Sequence, residues 1–232
     1  MGVSCYTWHD QEMREKKGNG MKPVVDYTLY VCTDRGLMSS ASVEESVEAA
    51  IRGGATVIQL REKEVTGRQF YETALAVKKV TEQYQVPLII NDRIDIAMAV
   101  DAAGVHLGQK DLPVQVARKL LGEDKIIGIS AASPEEAEQA MQEGADYLGV
   151  GAMYQTSTKS DTRPVTIETL KKIRAAVPIP IVVIGGIGKE NAMNFKPLGI
   201  NGIAVVSSVV AQKDVTAAAK EMKQIFLNGA AE

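Results

Sequence analysis

Cysteine, histidine and aromatic residues are scarce in this chain: 2 Cys, 2 His and 1 Trp occur, and 5% of the 232 residues are aromatic. Cys5 and Cys32 stand in different segments and make neither a CxxC motif nor a zinc spacing, which leaves a reducing cytoplasm as the simplest setting. Cys32 reads as a small buried hydrophobe. There is no basic block and no basic stripe interleaved with aromatics, and the net charge is -3, which argues against a nucleic-acid surface. No apolar run reaches membrane-spanning length, and residues 1–22 are polar and charged without the apolar core of a signal peptide. The chain is expected to be soluble, with no membrane partner. His9, between Trp8 and Asp10, could be drawn as a metal or catalytic cluster, but it belongs to a stretch read as a floppy leader and is given no function.

What the chain does have is a regular alternation. From Tyr27 onward, short β-branched runs alternate with amphipathic stretches. Strands are expected at Leu29 to Thr33, Val57 to Leu60, Leu88 to Asn91, Gly104 to Leu107, Ile126 to Ser130, Tyr147 to Val150, Ile181 to Ile184 and Gly202 to Val206. Helices are expected at Val43 to Arg52, Arg68 to Tyr84, Val114 to Leu121, Pro134 to Glu143, Ile167 to Val177 and Val215 to Phe226. Ser42, Ser133 and Asp214 stand where side-chain caps for helix N-termini are needed, and Gly53, Gly122, Gly144 and Gly199 stand near helix ends. About eight strand and helix units in about 200 residues is the repeat of a (β/α)₈ barrel. A doubly wound open sheet shows similar alternation, but the regular series lacks a GxGxxG after its first strand. With 45% hydrophobic content the chain can bury one large core. The expectation is an α/β fold, a single (β/α)₈ TIM barrel over residues 23–232, with a short N-terminal extension over residues 1–22.

In such a barrel the C-terminal ends of the strands share one rim, where barrel enzymes place their chemistry. The run from Val57 to Lys63 puts Gln59, Arg61 and Lys63 two residues apart, on one face of an extended strand. Polar groups on the inward face of a buried strand need a counter-charge or a ligand, and an anion fits; an edge strand with a solvated face would show the same spacing. Strand three ends in Asn91-Asp92, strand four runs into Gly108-Gln109-Lys110-Asp111, and strand five ends in Ser130. Asp92 and Asp111, from neighbouring strands, can converge on one magnesium ion, which takes one or two protein carboxylates and keeps water and phosphate oxygens for its other positions. Taken singly, Asp92 could equally cap a helix before Ile94, and Asp111 could cap its own loop. Gly185-Gly186 after strand seven and Val206-Ser207-Ser208 after strand eight match the usual barrel phosphate site. Residues 152–166 are too long and polar for an ordinary connection and are expected to form a closing lid that carries Thr156, Thr158 and Lys159; a solvated loop is the alternative.

Gln59-Leu60-Arg61-Glu62-Lys63, Asn91-Asp92-Arg93, Val105 to Leu112, Thr156 to Asp161, Ile184 to Ile187 and Val205 to Ser207, in this order, resemble the thiamine-phosphate synthase family over nearly all of residues 27–226. That family joins 4-amino-2-methyl-5-hydroxymethylpyrimidine diphosphate to thiazole phosphate, with magnesium (Mg2+), and releases pyrophosphate. The resemblance implies that Gln59, Leu60, Arg61, Glu62, Lys63, Asn91, Ser130 and Lys159 hold the pyrimidine diphosphate, with Arg61, Lys63, Ser130 and Lys159 serving the chemistry. It implies Asp92 and Asp111 as magnesium ligands, and Thr156, Ser157, Thr158, Gly186, Val206 and Ser207 as the thiazole phosphate site. Three departures stand out: Ala103, where many members carry Asp; Ala131-Ala132 after Ser130; and Ala152 and Gln155, where prolines often flank the loop.

The chemistry so implied is a dissociative substitution in which the thiazole nitrogen, with its free lone pair, captures the pyrimidine methylene carbon. No strong enzymic base is needed, and His106 is read as structural. A thiazole tautomerase-like barrel and a non-catalytic phosphate-binding barrel remain as alternatives. No helix face reads as apolar enough to compel self-association, so a homo-oligomer is left open.

Overall fold

The computed structural model describes residue 22, residues 24–156 and residues 163–229. Its eight parallel strands close in sequence order, β1 pairing with β8 through Leu29↔Ile203 and Val31↔Val205. The strands are β1 Leu29–Cys32, β2 Val57–Leu60, β3 Leu88–Asn91, β4 Gly104–Leu107, β5 Ile126–Ala131, β6 Tyr147–Val150, β7 Ile181–Val183 and β8 Gly202–Val205. Around them run α1 Val43–Arg52, α2 Gly67–Gln83, α3 Ile94–Ala99, α4 Val114–Leu121, α5 Pro134–Gln142, α6 Ile167–Ala176, a 3₁₀ helix over Ala192–Leu198, α7 Ser207–Val210 and α8 Val215–Asn228.

Side-chain alternation splits the core in two. Outward residues such as Leu29, Ile58, Leu60, Ile90 and Leu107 pack against the apolar helix faces. Inward residues Tyr30, Cys32, Val57, Ile89, Ile126, Tyr147, Val182 and Ala204 fill the barrel. The caps form as the sequence requires: Ser42 accepts from the Glu45 amide, Ser133 from Glu136 and Asp214 from Ala217. Lys22, last residue of the expected extension, pairs with Asp146 at 2.5 Å; residues 1–21 lie outside the described residues.

Glycine gives the interior its shape. A Cβ on Gly128 would lie 2.1 Å from the Tyr147 ring, and one on Gly149 would lie 2.8 Å from the His106 ring. These two strand positions are therefore the space that the two rings occupy. Gly128→Ala is expected to cost about 2–3 kcal/mol, the upper range for overpacking a fixed core. A denaturant midpoint unchanged from the parent would contradict this packing.

Two features lie outside the sequence expectations. The sequence reading gives no helix for α3 after β3, for the 3₁₀ helix after β7 or for α7, which stands between β8 and α8, and all three are too short to show an apolar period. Leu112, Val116 and Leu120, spaced four apart along α4 and its approach, are exposed, as is Met98 on α3, a detail that the sequence reading does not single out. Among the described residues no helix is long and apolar enough to cross a membrane.

Candidate active site

Because all strands are parallel, every strand C-terminus opens on the same rim. Of Gln59, Arg61 and Lys63, only Gln59 lies within β2; it points inward, where it is buried and its Nε2 donates to the Tyr30 hydroxyl at 2.8 Å. Arg61 and Lys63 follow in the loop. The backbone N–H of Arg61 donates to Thr33 Oγ1 at 3.0 Å, and its guanidinium donates to Asp34 at 3.0 Å. Asp34 stands just past β1, so the rule that picks polar residues at strand ends finds it when applied to the first strand too.

The residues between them face elsewhere. Leu60 is fully buried in the layer between strands and helices, and the Glu62 carboxylate is taken by Arg35 at 2.7 Å. One side chain is thus held in the outer core and the other by an ion pair.

Asp92 follows β3 directly with φ 61°. A non-glycine residue in the left-handed region costs on the order of 1–3 kcal/mol and persists only where surroundings enforce it. It does not cap α3, whose N-cap position is Arg93, without a side-chain capping bond. The turn instead directs the carboxylate along the rim, where the Lys63 ammonium pairs with it and the Asp111 carboxyl comes within hydrogen-bonding reach. Asp111 does cap its own loop, accepting from the Gly108 amide at 2.7 Å, while also facing Asp92. Partial burial, then the neighbouring Asp92 charge, push the Asp111 carboxyl above its ordinary range, against the opposing Gly108 N–H. Two adjacent carboxylates, one resisting ionisation, are a donor set that a hard cation would satisfy. Among the described residues there is no group of three or more His, Cys, Asp and Glu that could hold a metal, so a cation here would complete its shell with water and phosphate oxygens, as magnesium does.

Ser130 ends the inward face of β5. Its carbonyl accepts from Gln109 Nε2 at 2.7 Å, and its hydroxyl lies 3.0 Å from His106 Nε2. Across the rim, Gly185 and Gly186 both have positive φ, at 94° and 64°. Asn191, which strand-end spacing does not single out, fixes that turn by donating to the Gly186 carbonyl and accepting from the Gly188 amide, both at 3.0 Å. Its signal is an Asn five residues after a glycine pair, a residue type that bonds nearby backbone. Beside it, β8 runs through Val206 into α7, where Ser207 is exposed. The Ser208 hydroxyl is buried there without a hydrogen-bond partner among the described residues.

The long segment between β6 and α6 is stapled at its base. The Ala152 amide donates to the Arg163 carbonyl at 3.0 Å and the Val165 amide to the Ala152 carbonyl at 2.8 Å. Its first arm is laid along the glycine turn by Tyr154 N–H donating to the Gly185 carbonyl at 3.0 Å, which carries the chain toward Thr156. Ser157, Thr158 and Lys159 lie outside the described residues.

Comparison with known proteins gives the family. A family model described as thiamine monophosphate synthase matches residues 29–209. The chain is 56% identical over 207 residues to a thiamine-phosphate synthase of Clostridium beijerinckii, spanning 89% of this chain and 99% of that one. It is 57% identical over 210 residues to one of Ruminiclostridium cellulolyticum, spanning 90% and 100%. Among solved structures, thiamine phosphate pyrophosphorylase from Pyrococcus furiosus superposes with a TM-score of 0.81 at 42% identity, covering 88% of this chain and 97% of the other. With the match running from β1 into α7 and the relatives aligned along almost their whole length, the chain belongs to the thiamine monophosphate synthase family.

Proposed function

We propose that this rim joins the two halves of thiamine phosphate by a dissociative substitution. The overall activity follows from the family: the chain is a transferase that condenses 4-amino-2-methyl-5-hydroxymethylpyrimidine diphosphate with thiazole phosphate, forming thiamine monophosphate and pyrophosphate. Gln59, Arg61, Lys63, Asn91, Ser130 and Lys159 grip the pyrimidine diphosphate, with Leu60 and Glu62 contributing main chain only. Thr156, Ser157, Thr158, Gly186, Val206 and Ser207 hold the thiazole phosphate. Asp92 and Asp111 would hold magnesium. When bound, that ion would neutralise the diphosphate and stabilise the charge it gains on leaving.

The chain's own residues do the rest. Arg61 and Lys63, already set against Asp34 and Asp92, present fixed positive charge to the departing pyrophosphate, and fixed charge needs no reorganisation as the bond breaks. The aminopyrimidine spreads the positive charge left on its methylene carbon. The glycine turn holds the thiazole phosphate so that the ring nitrogen approaches that carbon, a gain in proximity rather than in acid–base power. The observation that carries this reading is Asp92: its backbone leaves the favoured regions, caps nothing, and puts a carboxylate beside Lys63 and Asp111.

The test is pyrophosphate release. One pyrophosphate per thiamine phosphate is expected, only with both substrates and magnesium present. Isomerisation of the thiazole without pyrophosphate release would favour the tautomerase-like alternative, and binding without turnover a phosphate sensor. We place the activity in the cytoplasm, where the buried free thiol of Cys32, pushed up to about 12 by burial, stays reduced and inert.

A further inference from the structure

A file of hydrogen bonds crosses the barrel interior. Gln59 Nε2 lies 2.8 Å from the Tyr30 hydroxyl, Tyr30 lies 2.7 Å from the Tyr147 hydroxyl, Tyr147 lies 2.9 Å from His106 Nδ1, and His106 Nε2 lies 3.0 Å from Ser130 Oγ. Gln59, Tyr30 and Tyr147 are buried, and Gly128 and Gly149 leave the volume that the Tyr147 and His106 rings fill. From the resulting count of donors and acceptors we propose that this file holds His106 as the Nε2–H tautomer and thereby turns the Ser130 proton outward, as a donor to the pyrimidine diphosphate.

The count runs along the file one proton at a time. An amide nitrogen offers only hydrogens, so Tyr30 accepts from Gln59 and its single proton goes on to Tyr147. Tyr147, having accepted there, gives its own proton to His106 Nδ1. Burial pushes both phenols well above their ordinary range, so each keeps the proton it must pass along. Nδ1 thus carries a lone pair, and the ring proton sits on Nε2, where it donates to Ser130 Oγ. The Ser130 proton is left for the rim.

The opposite polarity has a chemical cost at the far end. Rotating the Gln59 amide would reverse every bond, so that Ser130 donated to His106 and showed only lone pairs to a diphosphate. An anion site favours the first arrangement. His106, its Nδ1 occupied by the Tyr147 hydroxyl and its Nε2 by Ser130, is then a positioning residue and not a base. The tautomer rests on the Gln59 amide standing with its Nε2 toward Tyr30; the role of the Ser130 donor rests on the pyrimidine-diphosphate reading above.

The tautomer is measurable in the full chain. His9→Gln leaves His106 as the sole imidazole, since the sequence holds 2 His. Long-range proton–nitrogen correlation on that ¹⁵N-labelled chain at neutral pH is expected to show a pyridine-like Nδ1 and a pyrrole-like Nε2. The reverse tautomer, or protons on both nitrogens, would overturn the proposal. Tyr147→Phe removes the donor to Nδ1 and is expected to mix the tautomers and lower kcat about tenfold, the worth of one well-placed hydrogen bond, with KM for thiazole phosphate unchanged. Tyr30→Phe leaves the Tyr147 proton in place and is expected to do less. Wild-type kcat in Tyr147→Phe would sever the tautomer from catalysis. Should Tyr147→Phe fail to fold, the His9→Gln spectrum still decides the tautomer. A chain that releases no pyrophosphate with both substrates and magnesium would remove the proposed function, while the spectrum would still decide the polarity of the file.

Discussion

Asp92→Ala is expected to reduce turnover by about a thousandfold or more at ordinary magnesium, the several kcal/mol that a bound cation supplies to a leaving diphosphate. Lys63 loses its partner in the same change, so the loss combines a missing metal ligand with a cation no longer held in place. Normal kinetics at ordinary magnesium would remove the metal role. Asp111→Asn separates function from stability, because its amide oxygen can still accept from the Gly108 N–H. An acid whose folded value lies above its unfolded one binds more protons folded than unfolded between those values, so stability falls as pH rises through that window. The ionised Asp111 therefore burdens the metal-free fold at neutral pH. Asp111→Asn is expected to lose turnover while melting at the same temperature or about 2 °C higher, a fraction of a kcal/mol for a chain of this length. A clear drop in melting temperature would mean that the carboxylate is structural. In the parent, protons compete with magnesium at this pair, so the magnesium needed for half-maximal rate should climb as pH falls toward the raised Asp111 range. A magnesium requirement independent of pH would contradict the pairing.

The barrel was legible because its strands are β-branched runs long enough to stand out and their ends are marked by polar residues. β2, β3, β4 and β6 fall where the pattern puts them, and the other strands differ by a residue at one end. The short helices were not legible for the same reason in reverse: α3 has six residues, α7 four, and the 3₁₀ helix contains Pro197, so none can show a period. On the rim, Asp92 and Asp111 could be named from the strand ends, but not the left-handed turn that brings Asp92 to its neighbours, since sequence carries φ only where glycine or proline declares it. The partners of Gln59 were hidden differently. Tyr30 and Tyr147 look like core aromatics within apolar strands, and only closure of the barrel brings their hydroxyls to 2.7 Å across 117 residues of chain. Period-two spacing likewise overreached beyond Leu60, because β2 ends there and Arg61 and Lys63 are placed by Thr33, Asp34 and Asp92 rather than by strand pleating.

Gly186→Ala is the second large effect, and it reaches the other half of the reaction. At φ 64° an added Cβ costs about 1 kcal/mol in backbone conformation. Steric overlap matters more: the new carbon would lie 2.7 Å from Tyr154 Cβ and 2.8 Å from the Gln155 carbonyl oxygen, neither the far end of a flexible side chain. Either the glycine turn or the arm leading to Thr156 must move. Movement of the turn strains the Asn191 brace and withdraws the amides that would face the thiazole phosphate. Losing two charge-assisted hydrogen bonds, at about 1.5 kcal/mol each at the low end, predicts a fall in kcat/KM of roughly a hundredfold or more. Most of it should appear as a raised KM for thiazole phosphate, with the pyrimidine diphosphate still bound at the opposite side of the rim. Ser207→Ala removes a hydroxyl without touching the turn and should raise the same KM by a smaller factor. An unchanged KM for thiazole phosphate in Gly186→Ala, in a chain that melts normally, would move the phosphate away from this turn. Equal losses for both substrates would instead mean that the arm carrying Thr156 closes over the two together.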